Sequence, residues 1–167
     1  TYFGNGITDP INGTFDPMVA GIGQHLITLS VSGICPNSVS TTIDVYDLPV
    51  INAGPDAEVC FNTPYQLNAS GAPGGSYLWS PAGGLSDAYI ANPTATLTSN
   101  QTFFVTGTDI HGCSAQDHVV LNVLPLPQIS AQAVAQICPG SSVLLIASGS
   151  VGNYSWTPIT GLDTPND

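Results

Sequence analysis

The chain has 167 residues, among them 18 glycines, 14 prolines and eleven acidic residues, and it has neither lysine nor arginine, which gives a formal charge of −11. Because neutralising phosphates requires cationic side chains, this composition excludes nucleic-acid binding. No apolar run approaches the ~18 residues of a membrane span. Hydrophobic residues nevertheless make up 43% of the chain, which is enough to form packed cores.

An internal repeat organises the sequence. Cys35 and Cys113 lie 78 residues apart, and Cys60 and Cys138 have the same separation. The flanking motifs keep this spacing: Gly6-Ile7-Thr8-Asp9 matches Gly84-Leu85-Ser86-Asp87, Thr41-x-Ile43-x-Val45 matches Val119-x-Leu121-x-Val123, and Tyr65-x-Leu67-x-Ala69 matches Val143-x-Leu145-x-Ala147. After one deletion the spacing becomes 77, which places Tyr77-x-Trp79 on Tyr154-x-Trp156.

The repeat predicts three units, of which only the middle one is complete. Residues 1–48 correspond to the C-terminal half of a preceding unit, 49–126 to the complete unit, and 127–167 to the N-terminal half of a following one. The start in mid-pattern indicates an interior fragment of a longer protein. The joints are Asp47-Leu48-Pro49 and Pro125-Leu126-Pro127, whose prolines favour an extended backbone, as short stiff linkers require.

Alternation of apolar and polar residues with period two predicts about seven short strands in the middle unit. The predicted strands are, in chain order, 50–53 with 57–59 after a break, 65–69, 76–79, 94–97, 102–108 and 116–124. Asp109-Ile110-His111-Gly112 is a good hairpin turn between the last two. Short strands at this density predict an all-β fold of tandem immunoglobulin-like antiparallel sandwiches, about 78 residues per repeat.

Four cysteines in a chain of this composition suggest disulfides and an oxidising compartment. Cys60 and Cys113 are the only pair within the complete unit, but their loops lie at opposite poles of a standard sandwich, beyond the ~7 Å limit between bonded Cα atoms. We therefore expect disulfides between repeats, with Cys60 bonded to the hairpin cysteine of the following repeat and Cys113 to the preceding one. Cys35 and Cys138 occupy the equivalent positions. A Cys60–Cys113 bond is the alternative.

Calcium is the cofactor to consider, because hard cations bind carboxylate oxygens and no lysine or arginine balances the charge. Asp47 at the first joint and Asp109 in the adjoining turn are weak candidates for sharing an ion. Pro125 replaces the aspartate at the second joint, so such a site would not repeat. The alternative is a solvated acidic surface without metal, and we expect no cofactor.

Exposed aromatic side chains are the candidates for binding a polysaccharide. Tyr89 and the pair Phe103-Phe104 suit this role if they face solvent. Trp79 and Trp156 recur with a tyrosine two residues earlier, so each pair lies on one face of a strand. We expect both tryptophans in sandwich cores, where the immunoglobulin-like fold places one on the third strand.

No group of residues indicates an enzyme. His25, His111 and His118 do not recur between the units and have no second histidine at ligand spacing. Asp109 and His111 share a turn without a nucleophile, and no serine lies in a Gly-x-Ser-x-Gly elbow. We therefore expect a protein without catalytic activity.

The motifs resemble a known type of repeat. Leu-Pro-x-x-x-Ala-Gly-Pro-Asp-x-x-x-Cys (48–60), Tyr-x-Trp-Ser-Pro (77–81), Gly-Leu-Ser-Asp (84–87) and Thr-Asp-x-x-Gly-Cys (108–113) are similar to the PKD-like and immunoglobulin-like tandem repeats of Bacteroidetes surface proteins. Trp79 is followed by Ser-Pro-Ala-Gly-Gly, whereas better-known PKD domains have Trp-Asp-Phe-Gly-Asp-Gly, so turn or calcium chemistry tied to those aspartates does not carry over.

The resemblance implies an extracellular, cell-surface location and export by the type IX secretion route. It implies a structural segment of an adhesin or surface filament, whose partners are neighbouring repeats, other copies in a filament or surface polysaccharide. A carbohydrate- or surface-binding module is the alternative function, and an accessory domain of a secreted hydrolase is a third.

Overall fold

The computed structural model describes residues 1–132, 136–150 and 152–162. It confirms the all-β prediction, with one short helix, α1, at Pro17–Ala20. The strands are β1 Tyr2–Phe3, β2 Ile7–Asp9, β3 Thr14–Phe15, β4 Gly23–Val31, β5 Asn37–Val45, β6 Ala57–Cys60, β7 Pro64–Gln66, β8 Ser76–Ser80, β9 Thr94–Thr96, β10 Gln101–Thr108, β11 Ser114–Leu124, β12 Ile129–Ala131 and β13 Ala147–Gly149.

One layer of the middle unit is a four-stranded sheet in the order β6-β11-β10-β8. β10 and β11 form a hairpin that is paired from Gln101 opposite Leu121 to Thr108 opposite Ser114. β6 runs parallel to the far end of β11. Successive residues of β10 point to opposite faces, so Phe103 is fully buried while Phe104 faces solvent.

The second layer contains β7 and β9, extended by an antiparallel bridge between Asn52 and Ser70. The predicted first strand is therefore shared between the layers. Its residue Asn52 pairs in the second layer, whereas β6 joins the four-stranded sheet, with the predicted break at Gly54-Pro55-Asp56 between them. This switch closes the two layers around one core.

The core between the two layers is apolar and continuous, as the alternation predicted. Its largest fully buried side chains include Trp79, Phe103, Leu67, Leu121 and Val105. No polar or charged side chain among the described residues is buried in it. Cohesion of the sandwich therefore comes from apolar burial and backbone pairing, as a chain without lysine or arginine requires.

The second strand is less regular than predicted. The sequence predicted pairing over 65–69, but the regular ladder ends at Gln66. The N–H groups of Leu67 and Ala69 continue the contact by donating to the carbonyls of Pro93 and Ala91 at 2.9 and 2.8 Å. Pro93 has no N–H to donate in return, which interrupts the two-way ladder at this point.

Residues 1–48, which we call the first segment, form a three-stranded sheet in the order β1-β4-β5. β4 and β5 make a hairpin like that of β10 and β11, in which Ile27 lies opposite Thr41 as Phe103 lies opposite Val119. The helix α1 is capped by Asp16, whose side chain accepts a hydrogen bond from the N–H of Met18, and Pro17 is its first residue.

The described residues of 127–162, which we call the third segment, contain β12 and β13 in antiparallel pairing. Ser130 lies opposite Ser148, 78 residues after the bridge between Asn52 and Ser70. Residues 133–135, 151 and 163–167 of the predicted third unit lie outside the described residues, and the boundaries at 48 and 126 stay predictions. No helix in the described part of the chain has the length and apolar character needed to cross a bilayer.

Candidate functional site: the first joint and the exposed sheet face

The first joint is marked by an aromatic contact. The ring of Tyr46, one residue after β5, stacks on the ring of His111 with centroids 3.6 Å apart and planes 11° from parallel. His111 lies in the β10–β11 turn of the middle unit, and Leu48-Pro49 is the connecting chain. The end of the first segment therefore contacts the hairpin of the next unit directly.

The hairpin that presents His111 is held by Asp109. Its Oδ1 accepts hydrogen bonds from the N–H groups of His111 and Cys113, both at 2.9 Å. The N–H of Asp109 donates to the carbonyl of Cys113 at 2.9 Å, and Gly112 has a φ of 87° that suits glycine. The position of the imidazole thus follows from an aspartate turn.

The two candidate calcium ligands are each bonded within their own backbone. Asp47 Oδ1 accepts a 2.8 Å hydrogen bond from the N–H of Leu48, and Asp109 holds the turn just described. Among the described residues, no group of three or more His, Cys, Asp or Glu side chains is placed to hold a metal ion. These carboxylates therefore have a structural use that needs no cation.

Two of the four cysteines lie at opposite ends of the middle unit. Cys60 is paired with Leu124 at the end of β11, whereas Cys113 precedes the beginning of β11. Eleven residues of strand separate these ends, which is about 35 Å at 3.3 Å per residue. All four cysteines, Cys35, Cys60, Cys113 and Cys138, are unbonded, and only Cys113 is partly buried. This geometry favours the inter-repeat pairing, which stays a prediction.

The solvent-facing side of the four-stranded sheet carries a small apolar patch. Phe104 and His118 lie opposite each other on β10 and β11, with ring centroids 5.7 Å apart. Leu78 on β8 lies on the same face, and it and Phe104 are each nearly half exposed. Tyr89 is 76% exposed but stands on a separate loop. Of the predicted Phe103-Phe104 pair, only Phe104 faces solvent, because Phe103 belongs to the core.

Neither tryptophan is fully exposed to solvent. Trp79 is 1% exposed, and its Nε1 donates to the carbonyl of Ile90 at 3.0 Å. Trp156 is half-buried. The tyrosines two residues earlier occupy matching environments, since Tyr77 accepts a hydrogen bond from the N–H of Ala72 and Tyr154 donates one to the carbonyl of Ser150. The core role predicted for Trp79 is confirmed.

One carboxylate has a shifted pKa with a clear structural cause. Asp117 on β11 accepts a 2.8 Å hydrogen bond from the N–H of Ala53. This bond, followed by one from the backbone of His118, lowers the pKa of Asp117 below its usual value. A second bond links the same strands with the roles exchanged, since Asp56 in the break of the first strand accepts a hydrogen bond from the N–H of Val120 on β11 at 2.8 Å. The two aspartates join the first strand to the last.

No protein-family model matches the chain, and no curated protein matches it either. Among solved structures it is similar to extracellular cadherin domains 1–4 of protocadherin gamma B7, with 18% identity, a TM-score of 0.37 and 81% of this chain covered. It is also similar to extracellular cadherin domains 1–5 of protocadherin gamma B2, with 14% identity, a TM-score of 0.34 and 89% covered. The chain spans 42% and 37% of those two chains.

Proposed function

We propose that this chain is a structural, non-enzymatic segment of an extracellular bacterial surface protein, in which sandwich repeats form a stalk or filament. The observation that carries the proposal is the stacking of Tyr46 on His111 across the first joint. A flexible linker between independent domains needs no such contact. In a stalk such a contact is useful, because it fixes the orientation of one unit relative to the next.

The composition supports an extracellular, cell-surface location. The chain lacks lysine and arginine, so trypsin-like proteases have no cleavage site. Cys60 and Cys113 lie at opposite ends of the middle unit, where disulfides to neighbouring repeats would reinforce joints in an oxidising environment. The motifs that resemble PKD-like repeats of Bacteroidetes adhesins, exported by the type IX route, agree with this location. The net charge of −11 keeps such chains soluble.

The test of the stalk is the rigidity of the first joint in dilute solution. Small-angle X-ray scattering of the whole chain should fit one preferred arrangement of the first segment and the middle unit. An aromatic pair contributes about 0.5–1.5 kcal/mol, so Tyr46→Ala or His111→Ala should reduce the docked population roughly 2- to 10-fold and broaden the distance distribution.

The matched control is His118→Ala, which removes an imidazole from an aromatic pair on the sheet face, away from the joint. It should leave the scattering unchanged. A wild-type profile that already requires freely jointed units, and that Tyr46→Ala does not alter, would contradict the stalk.

The exposed patch of Leu78, Phe104 and His118 favours a second candidate, a carbohydrate- or surface-binding module. Aromatic rings beside apolar surface are suited to stack on sugar rings. A glycan-array screen should then detect binding that Phe104→Ala abolishes, and Tyr89→Ala would show whether the separate loop takes part. Absence of binding by the wild-type chain argues for the stalk alone. A role as the accessory domain of a secreted hydrolase predicts a catalytic module elsewhere in the gene.

A further inference from the structure

The middle unit has a polar pocket on the outer face of its second layer. The pocket has a volume of about 530 Å³ and is lined by Asn52, Gly54, Pro55, Asn68 and Ser70. Leu67 and Ala69 are buried in the core, so alternation along the second strand directs the side chains of Asn68 and Ser70 to the solvent side. The pocket therefore lies on the face of this layer that is opposite to the core.

The pocket exists because the first strand leaves the second layer at this point. Asn52 and Ser70 exchange two backbone hydrogen bonds, at 3.0 and 2.9 Å. Two residues further along, the antiparallel ladder would pair Gly54 with Asn68. The N–H of Gly54 instead donates to Oδ1 of Asn52 at 2.8 Å, and Pro55 has no N–H to donate. Among the described residues, the N–H and C=O of Asn68 therefore have no backbone partner.

The third segment closes the same position of the ladder. The residue 78 positions after Asn68 is Ile146. Its carbonyl accepts a hydrogen bond from the N–H of Gln132, the counterpart of Gly54, at 2.9 Å. The pairing of β12 with β13 also keeps the register of the bridge in the middle unit. The repeat thus folds with an isoleucine and a closed ladder at this position, so the open pocket comes from the residues of the middle unit and is not a requirement of the fold.

The polar groups around the pocket include both donors and acceptors. Asn52 uses its Oδ1 to hold Gly54, which leaves its two Nδ2 hydrogens for another acceptor. The side chains of Asn68 and Ser70 are exposed, and within the described part of the chain they make no hydrogen bond. The unpaired backbone groups of Asn68 border the same space. Pro55 adds an apolar ring to the lining.

Charge defines the class of ligand that this pocket suits. The lining has no ionisable side chain, although the chain carries a charge of −11. The nearby Asp56 accepts a hydrogen bond from the N–H of Val120 in the other layer. An anion is therefore repelled by the chain as a whole, and a metal cation finds no carboxylate in the lining. The volume lies within the range of about 300–1,000 Å³ that is usual for small-molecule sites.

We propose that this pocket binds a neutral saccharide. The sugar hydroxyls bond the amides of Asn52 and Asn68 and the hydroxyl of Ser70, and a C–H face of the sugar packs on Pro55. This site goes beyond the proposed stalk. It is also separate from the patch around Phe104, which lies on the other layer of the sandwich.

The test is an NMR titration of the isotope-labelled whole chain with four neutral trisaccharides: maltotriose, cellotriose, mannotriose and chitotriose. At least one should bind with a Kd of about 1 mM, as a few hydrogen bonds to one sugar allow. The shifted resonances should be centred on the backbone N–H of Asn68 and on the side-chain amides of Asn52 and Asn68.

Two substitutions remove the polar groups of the pocket. Asn68→Ile introduces the residue that the third segment has at this position, and it should raise the Kd at least about 10-fold, because a donor and an acceptor are lost. Ser70→Ala should raise the Kd roughly 2- to 10-fold. It leaves the bridge to Asn52 intact, because that bridge uses backbone atoms alone. It is therefore the second variant if Asn68→Ile disturbs the fold.

The matched control is Asn122→Ile, which makes the same substitution at an exposed position of β11 in the other layer. It should bind the saccharide as the wild type does. Phe104→Ala should do the same, whereas it would abolish binding by the aromatic patch. Shifts that Phe104→Ala removes and Asn68→Ile leaves unchanged would therefore contradict the pocket.

Three further outcomes overturn the proposal. One is the absence of saturable shifts around Asn68 with all four trisaccharides up to about 20 mM. Another is equal binding of the acidic trisaccharide trigalacturonate, which a neutral pocket in a chain of charge −11 should discriminate against. The third is binding at Asn68 by the uncharged peptide Ser-Gly-Ser-Gly and by none of the saccharides, since the open ladder then pairs with peptide. None of these outcomes alters the scattering test of the joint.

Discussion

Asp117 on the last strand of the middle unit accepts a hydrogen bond from the N–H of Ala53, 64 residues earlier, at 2.8 Å. The bond ties the last strand to the point at which the first strand passes from one layer to the other. Because its donors favour the charged carboxylate, the folded protein lowers the pKa of Asp117 below 3.8. The stabilisation is therefore fully present well above the usual pKa of an aspartate and is lost as the pH falls through the lower folded-state pKa.

We expect Asp117→Asn to lower the Tm at pH 6, and we expect this difference from the wild type to shrink as the pH falls below the usual pKa of an aspartate. The side chain is 38% exposed, so screening reduces the effect to about 1 kcal/mol or less, which is a Tm change of at most about 4–8 °C. Thermal denaturation at several pH values measures it. Glu58→Gln, which removes an exposed charge from β6, should show no such dependence. A Tm difference that does not shrink as the pH falls would show that the charge is not the cause.

Trp79 is the largest side chain buried in the middle unit, and its indole donates to the carbonyl of Ile90. Trp79→Ala should therefore destabilise the sandwich by about 3–5 kcal/mol, through lost burial and the cavity that remains. Tyr89→Ala, ten residues later and 76% exposed, should change the stability by no more than about 0.5 kcal/mol. Urea denaturation followed by circular dichroism gives both values. Equal effects of the two substitutions would mean that Trp79 is not a core residue.

Pattern and periodicity predicted much of the middle unit, because alternation along β10 and β11 directly reflects which side chains face the core. The core position of Trp79 and the break at Gly54-Pro55-Asp56 followed from the same signals. The Tyr46–His111 contact could not be predicted from these signals, because neither residue recurs in the other repeats and the stack depends on how two units dock. The irregular end of the second strand was also missed, because it depends on which partner, Pro93, lies opposite Leu67.

Gly71 has a φ of 104° and lies against the carbonyl oxygen of Val50, where a Cβ atom would collide with the backbone. The adjoining bridge of Asn52 with Ser70 needs this close approach, and Gly149 repeats it against Gln128. Gly71→Ala should cost about 1–3 kcal/mol, because strain at positive φ adds to the collision. Gly83→Ala is the control, since nothing lies within 4 Å of a Cβ there. A stability equal to that of the control would show that the backbone moves freely at Gly71.

The cysteine pairing can be predicted from the geometry of the first joint. Cys60 pairs with Leu124, the counterpart of Tyr46, and Tyr46 contacts the hairpin that contains Cys113. A first-loop cysteine of one unit therefore lies near the hairpin cysteine of the next. Cys60 should therefore bond the hairpin cysteine of the following repeat, and Cys113 the first-loop cysteine of the preceding repeat.

Mild oxidation of the protein should therefore not bond Cys60 to Cys113, and peptide mapping measures this. Peptide mapping should use a protease that cleaves at acidic residues, because trypsin has no site in this chain. Cys60→Ser should leave the fraction of Cys113 that can be alkylated after oxidation unchanged, because the two thiols are not partners. Recovery of a Cys60–Cys113 peptide would contradict the inter-repeat pairing, since those residues lie at opposite ends of β11.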